Sequence, residues 1–325
     1  MKIIITGGAG FRGSHLAENL IKKKHEVIII DNLSTGRLEN IKKFKQKLKF
    51  INADISKNGD WHKHFKNTKV VFHLAALADI VPSIKDPKKY FQSNVVGTEN
   101  IASVAIKYKV KKIIYSASSS CYGIPNKYPT SEIESIKPQY PYAMTKNLGE
   151  QILMHYAKIY GIQVTSMRLF NVYGTRSRTS GTYGAMFGVF LAQKLKKKPL
   201  TVVGDGTQKR DFTYISDIIG AFVKCMNIKK NFQIFNVGTG KPISVNKVVK
   251  LLGCKSIKIP KRPGEPNQTN ANINKITKAL NWKPKVSINL GIKKLLKDID
   301  YWKNAPVWTP KRIKIATKEW FEYLK

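Results

Sequence analysis

Tyr142 and Lys146 stand four residues apart in Tyr-Ala-Met-Thr-Lys, a spacing that places both on one face of a helix. A phenol with a pKa of about 10 is a poor base at neutral pH unless a fixed cation favours its phenolate. A lysine one turn away can supply that charge. Upstream, Ser116-Ala-Ser118-Ser-Ser-Cys-Tyr-Gly123 follows an apolar run, so its hydroxyls fall at the carboxyl edge of a sheet, where open α/β folds bind ligands. Tyrosine–lysine pairs and serine runs are each common. Together, downstream of a glycine-rich turn, they exceed coincidence and point to a tyrosine base.

That turn is Gly7-Gly-Ala-Gly10-Phe-Arg-Gly13, between a short apolar run and a helical pattern. In a strand–turn–helix context this spacing is a dinucleotide fingerprint. Gly7 permits the tight turn, Gly10 lets backbone approach a pyrophosphate, and Gly13 allows close helix packing. The helix start offers N–H groups and partial positive charge to the anion. Asp31 ends the second apolar run, 18 residues after Gly13. A carboxylate there accepts both adenosine ribose hydroxyls and repels a 2′-phosphate, so the expected cofactor is NAD. Arg12 and Arg37 are basic neighbours that work against that preference. Asp54 is placed either to meet the adenine or to cap a helix.

The elements that must position these residues alternate. Strands are expected at Lys2–Thr6, Val27–Ile30, Lys49–Asn52, Val70–His73 and Lys112–Ser116, with helices between them, notably Phe11–Lys24 and Tyr90–Tyr108. Strands apolar on both faces and joined by helices make a parallel sheet covered on both sides. The expected fold is α/β: a Rossmann-type doubly wound sheet with a smaller, irregular C-terminal domain. Residues 1–172 form the first domain and 173–325 the second, with 208–240 packing back on the first. Tyr173 to Gly188 and Ile257 to Asn270 read as loops, and Leu200 to Gly206 as a strand and turn. Asp217 to Met226, Ile273 to Leu280 and Ile288 to Trp302 read as helices. Thr309 to Leu324 has the pattern of one docked amphipathic helix.

Composition bounds the function. The 325 residues are 42% hydrophobic, which excludes a disordered chain. No apolar run approaches the roughly 20 residues of a membrane helix, and the apolar start is too short for a secretory signal. Cys121, Cys225 and Cys254 are odd in number and lack metal spacing, which fits a reducing cytosol and no metal site. Lys and Arg total 58 against 20 Asp and Glu, a net charge of +38. The lysines are scattered, and only 8 of the 58 basic residues are the Arg that bidentate readers prefer. A solvated basic surface follows, with diffuse attraction to polyanions but no specific nucleic-acid partner.

The chain resembles an extended short-chain dehydrogenase/reductase of the NAD-dependent sugar epimerase/dehydratase family. The resemblance rests on Thr6 to His15, Asp31-Asn-Leu-Ser-Thr-Gly36, Phe72-His-Leu-Ala-Ala76, Asn94-Val-Val-Gly-Thr98, Ser118 to Gly123, Tyr142 to Lys146, Arg168 to Gly174, Gly204 to Phe212 and Arg262-Pro-Gly-Glu265. It extends to about Trp302. Arg12 departs from it, because the family usually carries an aliphatic residue there.

The resemblance implies that Ser118 hydrogen-bonds the sugar hydroxyl, that Tyr142 is the general base, and that Lys146 lowers its pKa and holds the nicotinamide ribose. Besides the residues already named, Phe11, Asn32, Ser34, Thr35, Gly36, Ile55, Leu74, Ala75, Ala76, Asn94, Ser116 and Phe170 are implied cofactor neighbours. Asn171, Arg210 and Arg262 would grip the nucleotide diphosphate, with Glu265 near its ribose. In a lysine-rich chain, arginine at these positions is what a bidentate phosphate clamp needs. Arg168 is read as structural.

Related 4,6-dehydratases resemble Thr-Asp-Glu where this chain has Ser118, Ser119 and Ser120, and decarboxylases carry an acid at the last position. What the resemblance leaves is 4-epimerisation of a UDP-hexose or UDP-N-acetylhexosamine. The C4 hydride would pass to NAD and return to the other face of a 4-keto sugar. Thr269 stands where related epimerases have a bulky aromatic residue, so it either admits an N-acetyl group or is a loop hydroxyl. The alternatives are UDP-glucuronate 4-epimerisation or decarboxylation, 2-epimerisation, or non-catalytic NAD or polyanion binding. Excess apolar residues on Tyr90–Tyr108 and Tyr142–Tyr160 lead to the expectation of a homodimer.

Overall fold

Ile3, Ile4 and Ile5 are all fully buried, yet they belong to two different cores. Ile3 and Ile5 pack with Leu16, Ala17, Leu20 and Phe222; Ile4 packs with Ile101, Ala105, Leu153 and Ala157. The period of two along a strand sends alternate side chains to opposite faces, and both faces are covered by helices. The computed structural model describes residues 1–177 and 186–324, so part of the expected Tyr173 to Gly188 loop lies outside the described residues.

The central sheet has seven parallel strands. They are β1 (Lys2–Thr6), β2 (Glu26–Asp31), β3 (Lys49–Asn52), β4 (Val70–His73), β5 (Lys112–Ser118), β6 (Gln163–Leu169) and, at the edge beside β6, Phe232–Val237. β1 pairs with both β2 and β4. The chain therefore reverses direction across the sheet after β3, and a crevice opens beyond the carboxyl ends of β1 and β4.

β6 and Phe232–Val237 escaped the sequence reading. β6 carries Thr165, Ser166 and Arg168, all buried. They are tolerated because Glu150, also buried, pairs with Arg168 at 2.5 Å and accepts from Ser166 Oγ at 2.5 Å. A buried charge is held only when it is paired and hydrogen-bonded in this way. The last strand is preceded by the helix Ile215–Cys225, which packs on the helix Phe11–Lys22. Buried Lys112 Nζ donates to the carbonyls of Cys225, Met226 and Ile228 at the carboxyl end of that helix, where the dipole favours a cation.

The remaining elements are small. Leu200–Val203 pairs with Ser256–Ile259, so the expected Ile257 to Asn270 loop begins as a strand; Lys209–Arg210 pairs with Ile243–Ser244, and Val172–Tyr173 with Thr213–Tyr214. Fully buried Asp211 ties them together, accepting from the backbone N–H groups of Thr239, Gly240 and Ala271 at 2.6–2.9 Å. Three expected helices differ from expectation. Ile288 to Trp302 is α-helical only to Lys297, with a 3₁₀ turn over Ile299–Trp302. Tyr90–Tyr108 is interrupted by a π-turn at Gln92–Val96 between Pro87–Phe91 and Gly97–Lys107. The carboxy-terminal helix is two, Pro310–Ala316 and Lys318–Tyr323, separated by buried Thr317, whose hydroxyl bonds Ile313 O at 2.8 Å.

Candidate functional site

The crevice between β1 and β4 opens into a cavity of about 570 Å³. Its floor at one end is the glycine turn. Gly7 has φ +69°, and a Cβ there would lie 2.7 Å from Ala75 N. A Cβ on Gly13 would press into the Gly7 carbonyl and reach 2.6 Å from Gly8 Cα. Gly10 is different: its Cβ would meet only the Gly7 carbonyl, at 3.2 Å, and Gly10 itself faces the cavity. Phe11, Arg12 and Gly13 begin the Phe11–Lys22 helix, so their N–H groups have no intrahelical acceptor. A crowded turn with one open glycine under a helix start is a cradle that fits a pyrophosphate.

Asp31 lies at the rim, its Oδ2 accepting from Ala9 N at 2.9 Å and its Oδ1 from Leu33 N at 2.8 Å. Burial raises its pKa, and those two N–H groups oppose the rise. Asn32, Ser34, Thr35, Asp54 and Ile55 surround it on the cavity wall. Gly36 does not line the cavity but backs Asp31: a Cβ there would come within 2.7 Å of Oδ1. Asp54 Oδ1 caps its own loop, accepting from Ser56 N and Oγ at 2.9 and 2.8 Å. Burial raises its pKa, but the Ser56 bonds outweigh this and hold it low.

Leu74, Ala75, Ala76 and Phe170 line the middle. Asn94 lies behind the wall. The π-turn that carries it aims its side chain at Leu77, accepting from the N–H at 2.8 Å and donating to the carbonyl at 3.0 Å. Its effect on the cavity is to fix the segment after β4.

Ser118 ends β5, and Tyr142 opens the helix Pro141–Tyr160 after Pro141, a residue pre-set for the first helical turn. Both line the cavity. Ser118 Oγ lies 2.8 Å from Ser120 Oγ and accepts from Ser120 N at 3.2 Å. Burial raises the Tyr142 pKa; the Arg12 charge and a hydrogen bond with Ser118 pull it down. Lys146 sits deeper, its Nζ 4.1 Å above the Tyr115 ring centre. Burial and then Arg12 push its pKa well down, while Glu150 supports the charge.

Arg12 itself crosses the cavity to donate to buried Ser116 Oγ at 3.3 Å. The departure from the family pattern thus brings a guanidinium to the reacting end. Asp79 also lines the cavity, at φ +108°, and its charge opposes ionisation of Tyr142.

At the far end Glu265 is shared by two arginines, with Arg262 Nη1 at 2.9 Å and Arg210 Nη2 at 3.4 Å. One carboxylate against two guanidinium groups leaves net positive charge, and forks of this kind suit phosphate oxygens. Asn171 and Thr269 complete this end. Thr269 Oγ1 donates to Asn171 Oδ1 at 2.7 Å and accepts from Asp211 N at 3.0 Å, so it holds its neighbours as well as forming the wall. Tyr140, Gln208, Tyr301 and Trp320 line the same cavity and were not singled out from the sequence. Gln208 lies in the Gly204 to Phe212 motif without having been assigned a role, whereas the three aromatic residues lie in no motif, and an aromatic residue in an amphipathic pattern reads as core.

Comparison with known proteins agrees with this geometry. Residues 3–238 match the NAD dependent epimerase/dehydratase family. The UDP-glucose 4-epimerase of Thermotoga maritima, solved with UDP-glucose, superposes with a TM-score of 0.87 at 33% identity, over 94% of this chain and 99% of that one. The UDP-glucuronic acid 4-epimerase of Bacillus cereus, solved with UDP-glucuronic acid and NAD, gives 0.84 at 35% identity, over 94% and 99%. The UDP-N-acetylglucosamine 4-epimerase of Methanobrevibacter ruminantium M1 gives 0.85 at 30%, over 91% and 98%. A glycine cradle, Ser118 and Tyr142, and a basic far end in one cavity, with Lys146 buried behind it and the match covering most of the chain, lead to one conclusion: this protein belongs to the NAD dependent epimerase/dehydratase family.

Proposed function

We propose that the protein is an NAD-dependent nucleotide-sugar 4-epimerase acting on a UDP-hexose or UDP-N-acetylhexosamine. One observation carries the reading: a single cavity runs from the glycine cradle past Ser118 and Tyr142 to the Arg210–Glu265–Arg262 cluster, with serines at 119 and 120. Bound NAD would supply the hydride acceptor and donor at C4. The N–H groups of the first helical turn would hold its pyrophosphate and Asp31 its adenosine ribose.

Tyr142 takes the proton of the 4-hydroxyl and later gives it back, and Ser118 orients that hydroxyl. Arg12 favours the phenolate by charge, and Lys146 joins it in the protonated form that Glu150 supports against burial and Arg12. Asn171, Arg210 and Arg262 take the diphosphate, and Glu265 lies near its ribose. Residues 1–172, with 208–240 packed back on them, would hold the cofactor, and residues 173–325 would complete the sugar-nucleotide end. Relatives solved with UDP-sugars support a nucleotide-sugar substrate.

We propose a homodimer through the Tyr90–Tyr108 and Tyr142–Tyr160 segments, a reading supported by exposed Phe91, Met154, Ile159 and Tyr160; sedimentation would test it. A reducing cytosol suits three free cysteines, two of them buried. Among the described residues no helix is long and apolar enough to cross a membrane.

The reading is tested by incubating the protein separately with UDP-glucose, UDP-N-acetylglucosamine and UDP-glucuronate and following proton NMR. A new anomeric signal of a 4-epimer without NADH release is expected. Loss of the carboxylate would make it a decarboxylase, and three unchanged spectra with NAD bound would overturn the reading.

A further inference from the structure

The carboxy-terminal segment reaches the substrate end of the cavity. After Trp302 it crosses the helix Met186–Leu195, where Gln193 Nε2 donates to Trp308 O at 2.7 Å. Buried Ile313 anchors the next turn. The final helix, Lys318–Tyr323, then packs against Ile80–Lys85 on the opposite side of the cavity. Phe321 and Tyr323 of this helix are exposed, whereas Trp320 is 2% exposed.

Three contacts tie the buried ring to the site. The indole N–H donates to Pro263 O at 2.8 Å, the Arg262 guanidinium lies 5.4 Å from the ring centre, and the Tyr140 ring is 6.3 Å away. The ring also lines the cavity.

Residues 260–270 have no helix or strand of their own, so the direction of Arg262 depends on what surrounds the loop. Glu265 fixes one edge of the guanidinium, and the indole fixes its face through cation–π attraction. The indole N–H pins the next residue. The same ring braces Tyr140, two residues before Tyr142. Burial raises the Tyr140 pKa, and its hydroxyl feels the charges of Glu265 and Arg210.

We infer that the carboxy-terminal helix is part of the substrate site and that Trp320 is a positioning residue holding Arg262 for the diphosphate of the nucleotide sugar. The inference rests on the nucleotide-sugar reading of the cavity.

The test compares Trp320→Ala and Trp320→Phe with the wild type in the full-length protein, titrating UDP calorimetrically and measuring steady-state kinetics and NAD content. For Trp320→Ala, UDP affinity falls about tenfold and KM rises in step, as loss of a partly desolvated cation–π contact and one hydrogen bond requires. kcat and NAD content stay near wild type. Trp320→Phe keeps a ring under the guanidinium but loses the donor to Pro263, so it falls between. Unchanged UDP affinity, or a fall in kcat at constant KM, would overturn the inference. If Trp320→Ala fails to fold, Trp320→Phe decides by the same criterion. A wild type that does not bind UDP would overturn the nucleotide-sugar reading and this inference with it.

Discussion

At the cofactor end of the cavity the contacts come from main chain: three glycines, the first turn of one helix, and a carboxylate fixed by two N–H groups. At the substrate end they come from long side chains on separate segments: Tyr140, Arg210, the Arg262–Glu265 loop and Trp320. Backbone cannot repack, so the first end tolerates little. Side chains on a loop can shift and be exchanged, which is how one scaffold is matched to different sugars. Two glycines show the contrast. Gly13 is walled in by backbone, whereas Gly264, at φ +73°, has nothing within 4 Å of where its Cβ would stand.

The sharpest test of that contrast is therefore Gly13→Ala against Gly264→Ala. The first forces a methyl into the Gly7 carbonyl, an overpacking of about 1–3 kcal/mol that moves the cradle itself. Loss of bound NAD after gel filtration, and with it all activity, is expected. Gly264→Ala meets only the backbone cost of positive φ, about 1–2 kcal/mol, with NAD content unchanged and a modest rise in KM. Equal effects would break the comparison.

Between the two ends, Tyr142→Phe removes the proposed base and should lower kcat by about 10²–10⁴. UDP and NAD affinities should stay near wild type.

Arg12→Ile links the two ends, because Arg12 starts in the cradle and its guanidinium reaches the reacting residues. Its charge lowers the Tyr142 pKa. The phenolate is the active form, so activity rises with pH through the Tyr142 pKa. Removing the cation raises that pKa and moves the acid limb of kcat to higher pH. At a fixed pH on that limb, kcat falls about tenfold for each pH unit the limb moves. A limb that does not move would leave Arg12 as a cofactor contact alone.

How far each part was legible follows from the same contrast. The glycine turn, Asp31 and the Tyr142–Lys146 pair are local in sequence and stand in fixed spacing to a strand or helix. Five of the seven sheet strands read as apolar runs. β6 did not, because Arg168 and Ser166 make it look polar until Glu150 is placed beside them, 16 to 18 residues away. Asn94 sits in a motif that implied the cofactor, but one π-turn directs its side chain to Leu77. The Arg12 side chain could be flagged as unusual but not aimed. Trp320 was unreadable as a site residue, since its pattern marks only a buried face and its partners lie 57 and more residues away.

Thr269 gives the smallest and most discriminating effect. Its hydroxyl bridges Asn171 and Asp211 N, so two roles are superimposed in one side chain: size, which bears on an N-acetyl group, and hydrogen bonding, which bears on the wall itself. Thr269→Val keeps the size and removes the hydroxyl. It should lower kcat/KM by about fivefold, the worth of roughly 1 kcal/mol of hydrogen bonding, and by the same factor for UDP-glucose and UDP-N-acetylglucosamine. Thr269→Tyr changes the size as well and should cost the acetylated sugar more than the plain one. If Val alone altered the ratio between the two substrates, the hydroxyl would be reading the acetyl group directly. If Tyr failed to alter it, pocket width at this position would have no part in the choice of sugar.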